Sequence, residues 1–467
     1  MTHGPLPLPA MNTPLESTNP STGALVGSVP VTPVESIPPI IDRARAALAS
    51  WTERTPAQRA DLLATSAEII LSRADEIGRQ LSLEMGKPLG DAISEVRGTA
   101  RGFTRDVAEM AEALAPEELV VGRTHSTIIH DALGVCASIT PWNFPFMMPH
   151  WMVVPALVAG NTVILKPSEE TPLTGQSYVD CLNEVLPKDV LQVIHGADEQ
   201  GKALVAGDID LVAFTGSRAV GKSIMQACAP RLKRAILELG GKDPMVILDD
   251  ADLEAAAQFA TRNSFRNAGQ VCVSTERIII QQSIIPDFLE LLVEQASQLS
   301  VGDGLDPATD VGPLVNAKQK QHVVSQIEDA LERGASLVLG GPQGEGNFLS
   351  PTILTNVEPS WDIAKEETFG PVVCVISANT DEDLVALAND TPFGLGATVF
   401  GSDPVRTERI AGQLKAGMIG INKGCGGASG TPWVGARESG YGFHGSRDGH
   451  RQFAQTRVIS KTLQSKE

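Results

Sequence analysis

Cys272 stands in the part of the sequence best suited to covalent chemistry. It ends a glycine-containing turn, NAGQVC at 267–272, so its thiol is predicted to face a cleft rather than to fill an apolar strand. Catalysis by such a thiol needs a pKa below its usual value of about 8.5. The alternative is an inert buried cysteine. All six cysteines are scattered, with no C-x-x-C pair, and are predicted to be reduced thiols.

Glu238 and Asn143 are the polar side chains that complement such a thiol. Glu238 ends an apolar run in AILELGGK at 235–242, where a carboxylate is a candidate general base; a salt bridge to Lys242 is the alternative. Asn143 lies in PWNFP at 141–145, and its amide can donate hydrogen bonds to an oxyanion. The alternative for Asn143 is a helix cap or a turn.

A phosphate-binding motif follows one predicted strand. Segment 216–223, GSRAVGKS, matches G-x-x-x-x-G-K-S/T, and the run MVILDD at 245–250 could supply an Asp for Mg²⁺, so a P-loop nucleotide triphosphatase is one hypothesis. A strand, a glycine turn and a helix N-terminus also bind the pyrophosphate of a dinucleotide. A tight turn without a ligand is the third interpretation.

Lys166 and Glu169 follow another apolar strand, in VILKPSE at 163–169. Doubly wound folds bind nucleotides at the carboxyl edge of the sheet, so both side chains could contact ribose hydroxyls there. The alternative is an exposed ion pair that contributes less than about 1 kcal/mol.

These side chains must be positioned by an α/β fold. Apolar residues at three- and four-residue spacing predict amphipathic helices in the first hundred residues. Short apolar runs alternating with helix-length segments then indicate a parallel sheet, and a second such series after Cys272 indicates a second α/β domain. Segment 118–131 is predicted to form a β arm outside both sheets. The predicted strands are 134–140, 162–165, 191–194, 211–215, 244–248, 277–281, 336–339 and 371–376, with a helix at 286–299.

The composition excludes several classes of protein. The 467 residues exceed one typical domain, and 42% hydrophobic with 20% charged residues is typical of globular chains. The excess of 56 Asp and Glu over 37 Lys and Arg gives a net charge of −19, which disfavours nucleic acid as a partner. No histidine or cysteine spacing predicts a metal site. The N-terminus shows no secretory signal, so we expect a cytoplasmic protein.

One segment, 132–165, contains no Asp, Glu, Lys or Arg and exceeds the ~20 residues of a spanning helix. Its polar residues Asn143, His150 and Asn161 would need partners inside lipid, and its four prolines would break the helix repeatedly. We therefore expect a buried α/β core and no membrane contact.

Taken together, these segments resemble the aldehyde dehydrogenase superfamily, in its NAD(P)-dependent, hydrolytic, non-acylating form. The motifs occur in the family's order at 141–145, 166–169, 214–217, 238–242, 269–272 and 366–371, and the likeness runs from 19–23 to 438–442. The resemblance implies a Rossmann-like cofactor domain (1–110 and 132–240), an α/β catalytic domain (241–445) and a small β oligomerisation arm (111–131 and 446–467). It also implies a homodimer or homotetramer.

The resemblance further implies the roles of individual residues. Cys272 would attack an aldehyde, Asn143 and the Cys272 backbone N–H would hold the oxyanion, and Glu238 would activate the water that releases a carboxylic acid. The phosphate loop is reassigned to a dinucleotide, and Lys222 has no role. Glu169 would repel a 2′-phosphate and favour NAD, while NADP stays an alternative. The implied cofactor-binding residues are Trp142, Lys166, Ser168, Glu169, Gly216, Ser217, Leu239, Gly240, Glu367 and Phe369.

The substrate is predicted to be an uncharged aliphatic or aromatic aldehyde. Trp151 stands eight residues beyond Asn143, where members of the family that act on succinate semialdehyde tend to carry a carboxylate-binding Arg. The alternative is a succinate-semialdehyde-type enzyme, and ordinary core packing is the alternative for the tunnel itself. The residues predicted to line an apolar tunnel are Phe144, Met148, Trp151, Val271, Val273 and Trp433.

Overall fold

Two mainly parallel sheets, an antiparallel arm and the surrounding helices make up the computed structural model, which describes residues 14–463. Within these residues the chain forms 20 strands and 16 α-helices. The strands are β1 (Leu15–Thr18), β2 (Leu25–Val29), β3 (Glu117–Val121), β4 (Thr124–Ala132), β5 (Val135–Ile139), β6 (Thr162–Lys166), β7 (Leu191–Val193), β8 (Leu211–Thr215), β9 (Arg234–Glu238), β10 (Asp243–Ile247), β11 (Thr275–Gln281), β12 (Ser336–Leu339), β13 (Thr352–Thr355), β14 (Val372–Ala378), β15 (Gly396–Phe400), β16 (Met418–Ile421), β17 (Trp433–Val434), β18 (Gly440–Tyr441), β19 (Phe443–His444) and β20 (Ala454–Thr462).

The helices lie between these strands and cover the faces of both sheets. They are α1 (Ile37–Thr52), α2 (Pro56–Ala64), α3 (Ser66–Ser72), α4 (Ala74–Met85), α5 (Leu89–Ala113), α6 (Met147–Val158), α7 (Pro172–Asn183), α8 (Asp198–Ala206), α9 (Arg218–Cys228), α10 (Leu253–Phe265), α11 (Ile285–Ser297), α12 (Ala317–Glu332), α13 (Asp362–Lys365), α14 (Asp381–Ala388), α15 (Pro404–Ala411) and α16 (Ser446–Arg451). Short 3₁₀ turns occupy Val34–Ser36, Ala229–Arg231, Arg266–Gly269, Gln282–Ile284 and Arg437–Ser439.

The first sheet has six strands in the order β18-β9-β8-β5-β6-β7 and is parallel except for β18, which pairs antiparallel with β9. Its strands are apolar runs buried on both faces, as a parallel sheet covered by helices requires. Val135 and Ile164 pack with helices α1, α8 and α9, while Cys136 and Val163 pack on the other face with α2 to α7. Successive residues of one strand therefore pack into two separate cores, one on each face of the sheet.

The second sheet has seven strands in the order β12-β13-β14-β11-β10-β15-β16. All neighbours pair parallel except the edge strand β12, which is antiparallel to β13. Its central strands contribute Met245 and Ile278, which are opposite each other in the register, to a core closed by α10, α11, α12, α14 and α15. The carboxyl end of the first sheet and the amino end of the second sheet carry the candidate site residues, because Glu238 ends β9 whereas Cys272 precedes β11.

The arm is a three-stranded antiparallel sheet in the order β20-β4-β3. The segment predicted as one unit, 118–131, is two strands, because the chain turns at Gly122, which has a φ of +58°. Strand β20 pairs with β4 along its whole length, and Arg457 of β20 pairs with Asp131 of β4. The far C-terminal segment thus joins a hairpin from the first third of the chain.

All eight predicted strands occur, with ends shifted by at most two residues, and the helix predicted at 286–299 is α11. The segment 132–165 forms β5, α6 and β6 in the buried core. Strands β13, β15 and β16 were not predicted, because each has only four or five residues and two of them contain glycine. The outer parts of the predicted domain ranges, 1–13 and 464–467, lie outside the described residues. Between residues 14 and 463, no helix is long and apolar enough to cross a membrane.

Candidate active site

Cys272 and Glu238 meet where the carboxyl end of the first sheet faces the amino end of the second sheet. Glu238 is the last residue of β9, and Thr215, the last residue of β8, lies beside it in the register. Cys272 follows the 3₁₀ turn at Arg266–Gly269, in which three successive residues, 267–269, have positive φ. A Cβ on Gly269 would lie 2.0 Å from the Gly370 carbonyl oxygen, so this tight approach requires glycine.

The carboxylate of Glu238 is the nearest base to the Cys272 thiol, with Sγ and Oε1 4.0 Å apart. The indole N–H of Trp433 donates to Oε1 at 2.7 Å. On Oε2, the Thr215 hydroxyl donates at 3.3 Å and His444 Nε2 lies at 3.2 Å. The alternative of a salt bridge from Glu238 to Lys242 is wrong, because the buried Lys242 ammonium pairs with Glu276 at 2.5 Å.

Burial raises the pKa of the Cys272 thiol well above its ordinary value. The negative charges of Glu238, Asp243 and Glu367 raise this pKa further. The expectation that a reactive Cys272 would have a lowered pKa is therefore wrong for the protein without ligands. At neutral pH the thiol holds its proton, and a base must remove it before the sulfur becomes nucleophilic.

Asn143 is buried at the wall of the cavity that contains Cys272. Its Nδ2 donates to the Gln270 carbonyl at 3.0 Å, which ties PWNFP to the turn before Cys272. An amide carries two N–H donors, so one of them is committed and the second can serve an oxyanion. The backbone carbonyl of Asn143 accepts from Lys87 Nζ at 2.9 Å.

The loop that carries Asn143 rests on a buried ion pair that the sequence did not indicate. Lys87 Nζ and Glu95 Oε2 lie 2.5 Å apart, both nearly inaccessible to solvent. Glu95 Oε1 accepts from the backbone N–H groups of Phe146 and Met147, each at 3.1 Å, and Lys87 Nζ lies 3.8 Å from the centre of the Phe144 ring. Burial lowers the pKa of Lys87. The pair fixes both ends of the segment 143–147.

One cavity, of about 290 Å³, contains most of the predicted catalytic and cofactor-binding residues, and we call it the strand-end cavity. Three predicted cofactor residues, Lys166, Ser168 and Glu169, do not line it. Gln319 and His322 of α12 line it but were not predicted. The predicted residues in its wall are Trp142, Asn143, Phe144, Met148, Gly216, Ser217, Leu239, Gly240, Cys272, Glu367 and Phe369.

Glu367 and Phe369 reach this cavity from the loop after α13. Glu367 Oε1 accepts from Gly241 N–H at 3.0 Å, and burial raises the pKa of Glu367 to about 8. Phe369 has a φ of +52°, and its ring meets Trp142 edge to face at 5.4 Å. The Phe369 N–H donates to Glu276, the partner of Lys242, so a second buried ion pair holds this loop.

Lys166 and Glu169 form the predicted pair beyond the strand-end cavity, with Nζ and Oε2 3.6 Å apart. The alternative of an ordinary exposed pair is wrong for Lys166, whose side chain is only 6% exposed, whereas Glu169 is 41% exposed. Burial lowers the pKa of Lys166. The Ser168 hydroxyl accepts from Glu170 N–H at 3.2 Å and so shapes the loop.

The geometry separates the two parts of the P-loop hypothesis. Lys222 extends to the surface, where its Nζ donates to Glu438 at 2.9 Å. The Asp-bearing run at 245–250 belongs to the other sheet, and its Asp249 accepts from Arg406. Lysine and aspartate therefore do not converge on one phosphate-metal site. No group of three or more potential metal ligands occurs within the described part of the chain, 14–463.

The residues predicted to line one apolar tunnel lie in several surroundings. Val271 and Val273 are buried with Leu395 and Met418, and Phe144 and Met148 line the strand-end cavity. Trp151 and Trp433 lie next to each other, with ring centroids 5.4 Å apart, at a different cavity.

This second cavity, also of about 290 Å³, lies on the other side of Glu238, and we call it the histidine cavity. Burial lowers the pKa values of His150 and His450 to about 4. Sequence reasoning missed its histidines, because they come from separate segments with no motif spacing. Its lining includes Arg105, Asp106, Glu109, His150, Trp151, Trp433, His444 and His450.

Comparison with known proteins agrees with this site. The sequence profile of the aldehyde dehydrogenase family matches residues 9–459. A probable succinate-semialdehyde dehydrogenase (NADP(+)) of Sinorhizobium fredii is 37% identical over 94% of this chain and 91% of its own. The peroxisomal aminoaldehyde dehydrogenase 1 of Pisum sativum is 36% identical over 93% and 90%.

Solved structures give the same result. An aldehyde dehydrogenase from Brucella melitensis biovar abortus superposes with a TM-score of 0.94 at 36% identity, covering 97% of this chain and 95% of that one. An indole-3-acetaldehyde dehydrogenase in complex with NAD+ superposes with a TM-score of 0.94 at 34% identity, covering 97% and 94%.

The chain therefore belongs to the aldehyde dehydrogenase family, an NAD(P)-dependent class that oxidises aldehydes to carboxylic acids. The α/β fold implied by the resemblance is confirmed, and so is the enzyme class. The triphosphatase hypothesis is set aside.

Proposed function

We propose that Cys272 is the nucleophile, Glu238 the general base and Asn143 the oxyanion donor of an NAD-dependent aldehyde dehydrogenase. The observation that carries this proposal is the 4.0 Å separation of Cys272 Sγ and Glu238 Oε1, beside a cavity that Cys272 and Asn143 both line. A protonated thiol beside a carboxylate is an acid and a base already in position for proton transfer.

Glu238 takes the thiol proton as the sulfur of Cys272 bonds to the aldehyde carbon. The carbonyl oxygen becomes an oxyanion, held by the free N–H of Asn143 and by the Cys272 backbone N–H. An oxidised nicotinamide, when bound, supplies the hydride acceptor that this chain lacks. Once Glu238 has released the thiol proton, it takes a proton from water, whose oxygen bonds to the thioester carbon while the C–S bond breaks and the acid leaves. The Cys272 sulfur then takes up this proton.

The strand-end cavity fits a dinucleotide. A Cβ on Gly216 would lie 2.5 Å from the Phe214 ring, and one on Gly240 would lie 2.3 Å from the Glu367 carboxylate. Only glycine fits at these two positions, and the bare backbone there can approach a dinucleotide closely. Helix α9 starts at Arg218, directly after Ser217, and its N-terminus suits a pyrophosphate. Trp142, Leu239, Glu367 and Phe369 complete this wall.

We assign Lys166, Ser168 and Glu169 to the adenosine ribose and propose a preference for NAD. The Lys166 ammonium and Glu169 carboxylate, 3.6 Å apart, can donate to and accept from two ribose hydroxyls. A 2′-phosphate at this place would meet the negative charge of Glu169. NADP is the alternative, since the positive charge of Lys166, 3.6 Å from Glu169, could pair with a 2′-phosphate.

The substrate we propose is an uncharged aliphatic or aromatic aldehyde, supported by the indoles of Trp151 and Trp433 beside Glu238. A specific observation favours a second candidate, an aldehyde that carries a carboxylate. A further cavity, of about 460 Å³, lies behind Val273 and Cys425 and is lined by Arg262, Arg266 and Lys423. The relatives named for semialdehydes act on substrates of that kind.

We further propose a cytoplasmic homodimer or homotetramer built through the arm. Apolar side chains on its two outer strands are more than half exposed, which suits burial against another subunit. The domain division at 1–110 with 132–240, 241–445, and 111–131 with 446–467 belongs to the same proposal. The three larger of the five sheets support it, except that β18 of the first sheet lies within 241–445. The exposed apolar residues are Leu119, Val120, Val121, Val458 and Ile459.

Initial rates of reduced nicotinamide formation test the proposal, with NAD or NADP and with aliphatic, aromatic, amino and carboxylated aldehydes. We expect turnover with NAD, and none for Cys272→Ala, which should still bind the dinucleotide. Equal rates for the wild type and Cys272→Ala would contradict the proposed nucleophile. A preference for carboxylated aldehydes would favour the second candidate substrate.

A further inference from the structure

His444 stands out because its imidazole contacts the base that the reaction uses twice. Glu238 must remove the proton of the Cys272 thiol and later a proton of water, so it has to lose the first proton before it can accept the second. Both Glu238 and His444 are nearly buried, with side chains 5% and 7% exposed. The proton on the Glu238 carboxyl group therefore does not pass directly to bulk water.

The other partners of Glu238 are poorly suited to this task. The Trp433 indole donates from Nε1 but has no lone pair to accept a proton, and the Thr215 hydroxyl lies 3.3 Å away on the side of the strand-end cavity. His444 Nε2 lies 3.2 Å from Oε2, and an imidazole can accept a proton on one nitrogen and release one from the other.

His444 is also the partner that leads toward a second cavity. Its ring packs 5.1 Å from Trp151 and lines the histidine cavity, whereas Cys272 lines the strand-end cavity. The imidazole thus separates the reacting side of Glu238 from a space that also contains Asp106 and Glu109.

The charged and titratable groups around His444 favour passage of a proton. Glu238 faces it from β9, His450 from α16, His150 from α6, and Asp106 and Glu109 from α5. Burial lowers the pKa values of His150 and His450 to about 4, so both are neutral at pH 7 and neither repels an imidazolium nor traps its proton. Arg105 of α5 lines the same cavity and pairs with Asp106 at 2.7 Å and with Glu109 at 3.8 Å, so the net charge that α5 contributes there is −1.

We propose that His444 is a positioning residue that takes the proton from Glu238 and passes it to water in the histidine cavity. This inference rests on the proposed roles of Cys272 and Glu238. The proton taken from the thiol leaves Glu238 Oε2 and bonds to His444 Nε2, and the imidazolium releases a proton to water in the cavity. Glu238 is then ionised when water must be activated. The proton taken from water returns to the Cys272 sulfur as the C–S bond breaks.

His444→Gln tests this inference, since the amide can hydrogen-bond to Glu238 but cannot carry a proton. We expect the acyl-thioester on Cys272 to accumulate, seen by acid quench and intact-protein mass, with a steady-state rate lower by roughly tenfold or more. Added imidazole should restore a large part of that rate, an effect that a merely structural role would not produce. His125→Gln in the arm, which also removes an imidazole, is the control.

The outcomes separate the two proposals. A wild type without aldehyde-dependent, Cys272-dependent turnover overturns the proposed function. Normal turnover in His444→Gln without thioester accumulation, or a loss that imidazole does not restore, overturns the role of His444 alone. His444→Asn replaces the glutamine variant if that variant does not fold.

Discussion

The strand-end cavity and the histidine cavity lie on opposite sides of Glu238 and are equally large, yet they are assembled differently. The first is lined by short contiguous segments that follow strands of the parallel sheet, such as 141–144, 215–217 and 239–240. The second is lined by single residues of α5, α6 and α16 and by the segment 426–433.

This difference separates two ways of building a site. Parallel strands place their carboxyl ends along one edge, so residues that follow them converge as soon as the sheet forms. The histidine cavity forms only when a late segment of the chain returns to the first sheet, where β18 pairs with β9. We expect the first cavity to serve the reaction that the family shares and the second to serve what is particular to this chain.

The largest effect should come from Glu238, which contacts one residue of each cavity, Cys272 and His444. Glu238→Gln keeps the shape and can still contact Trp433 and Thr215, but it removes the base. The steady-state rate of reduced nicotinamide formation should fall by roughly 10²- to 10⁴-fold. Glu184→Gln, which removes an exposed carboxylate paired with Arg73, is the control. Retention of more than a tenth of the rate would mean that another base serves the thiol.

Removal of the Lys87 side chain should disturb the strand-end cavity and leave the histidine cavity unchanged. Lys87→Met leaves the Glu95 carboxylate buried without its partner, so the free energy of unfolding should fall by roughly 3–5 kcal/mol in urea titrations. The double variant Lys87→Met with Glu95→Gln should recover part of this loss. If the single variant is as stable as the wild type, the pair does not hold the Asn143 loop.

The raised pKa of Cys272 makes its alkylation strongly dependent on pH. Iodoacetamide reacts with the thiolate, so the rate should rise about tenfold per pH unit above neutrality without a plateau below pH 9. Burial is the main cause of the raised pKa, and the Glu238 charge adds to it. Glu238→Gln should therefore shift the profile to lower pH, and a plateau near pH 7 in the wild type would contradict the buried, protonated thiol.

Gly240→Ala should affect the cofactor and leave the histidine cavity intact. The new methyl group would lie 2.3 Å from the Glu367 carboxylate and would displace it from Gly241 N–H. We expect dinucleotide binding, followed by calorimetry, to weaken by about tenfold, equivalent to about 1.4 kcal/mol. Unchanged dinucleotide affinity would place the cofactor away from Glu367.

The smallest effect should come from Lys222, the lysine of the phosphate-loop motif. Lys222→Met breaks an exposed pair with Glu438, which contributes less than about 1 kcal/mol. Dinucleotide affinity and turnover should stay within about twofold of the wild type. A loss of binding comparable to that of Gly240→Ala would return this lysine to the phosphate site.

The sequence predicted most of the residues that line the strand-end cavity, but not the buried ion pairs that hold its loops in place. Glu238 and Gly240 follow an apolar run, and such runs are readable because a parallel strand covered on both faces is mostly apolar. Cys272 precedes a strand and was singled out by its glycine-containing turn. Lys87, Glu95 and Glu276 were missed, because a buried ion pair between distant residues leaves no local pattern. Trp433 was predicted as tunnel wall, whereas the structure shows its N–H on Glu238.

The histidines that line the histidine cavity could not be predicted from the sequence. His444 contacts Glu238 from 206 residues away in the sequence, and no spacing rule connects two positions so far apart. The short strands β15 and β16 were missed for a related reason, since their neighbours in the sheet, and not their own residues, make them strands.

The pairing of β18 with β9 also sets the order in which the enzyme can mature. A ribosome makes Cys272 and Glu238 long before Trp433 and His444, so the nascent chain holds a thiol and a carboxylate without the groups that contact Glu238 from the C-terminal segment. The arm strand β20, which pairs with β4, is made later still. The contacts of Glu238 and the arm sheet are therefore complete only after β20 has been made, and a product truncated before Trp433 carries Cys272 and Glu238 without these contacts.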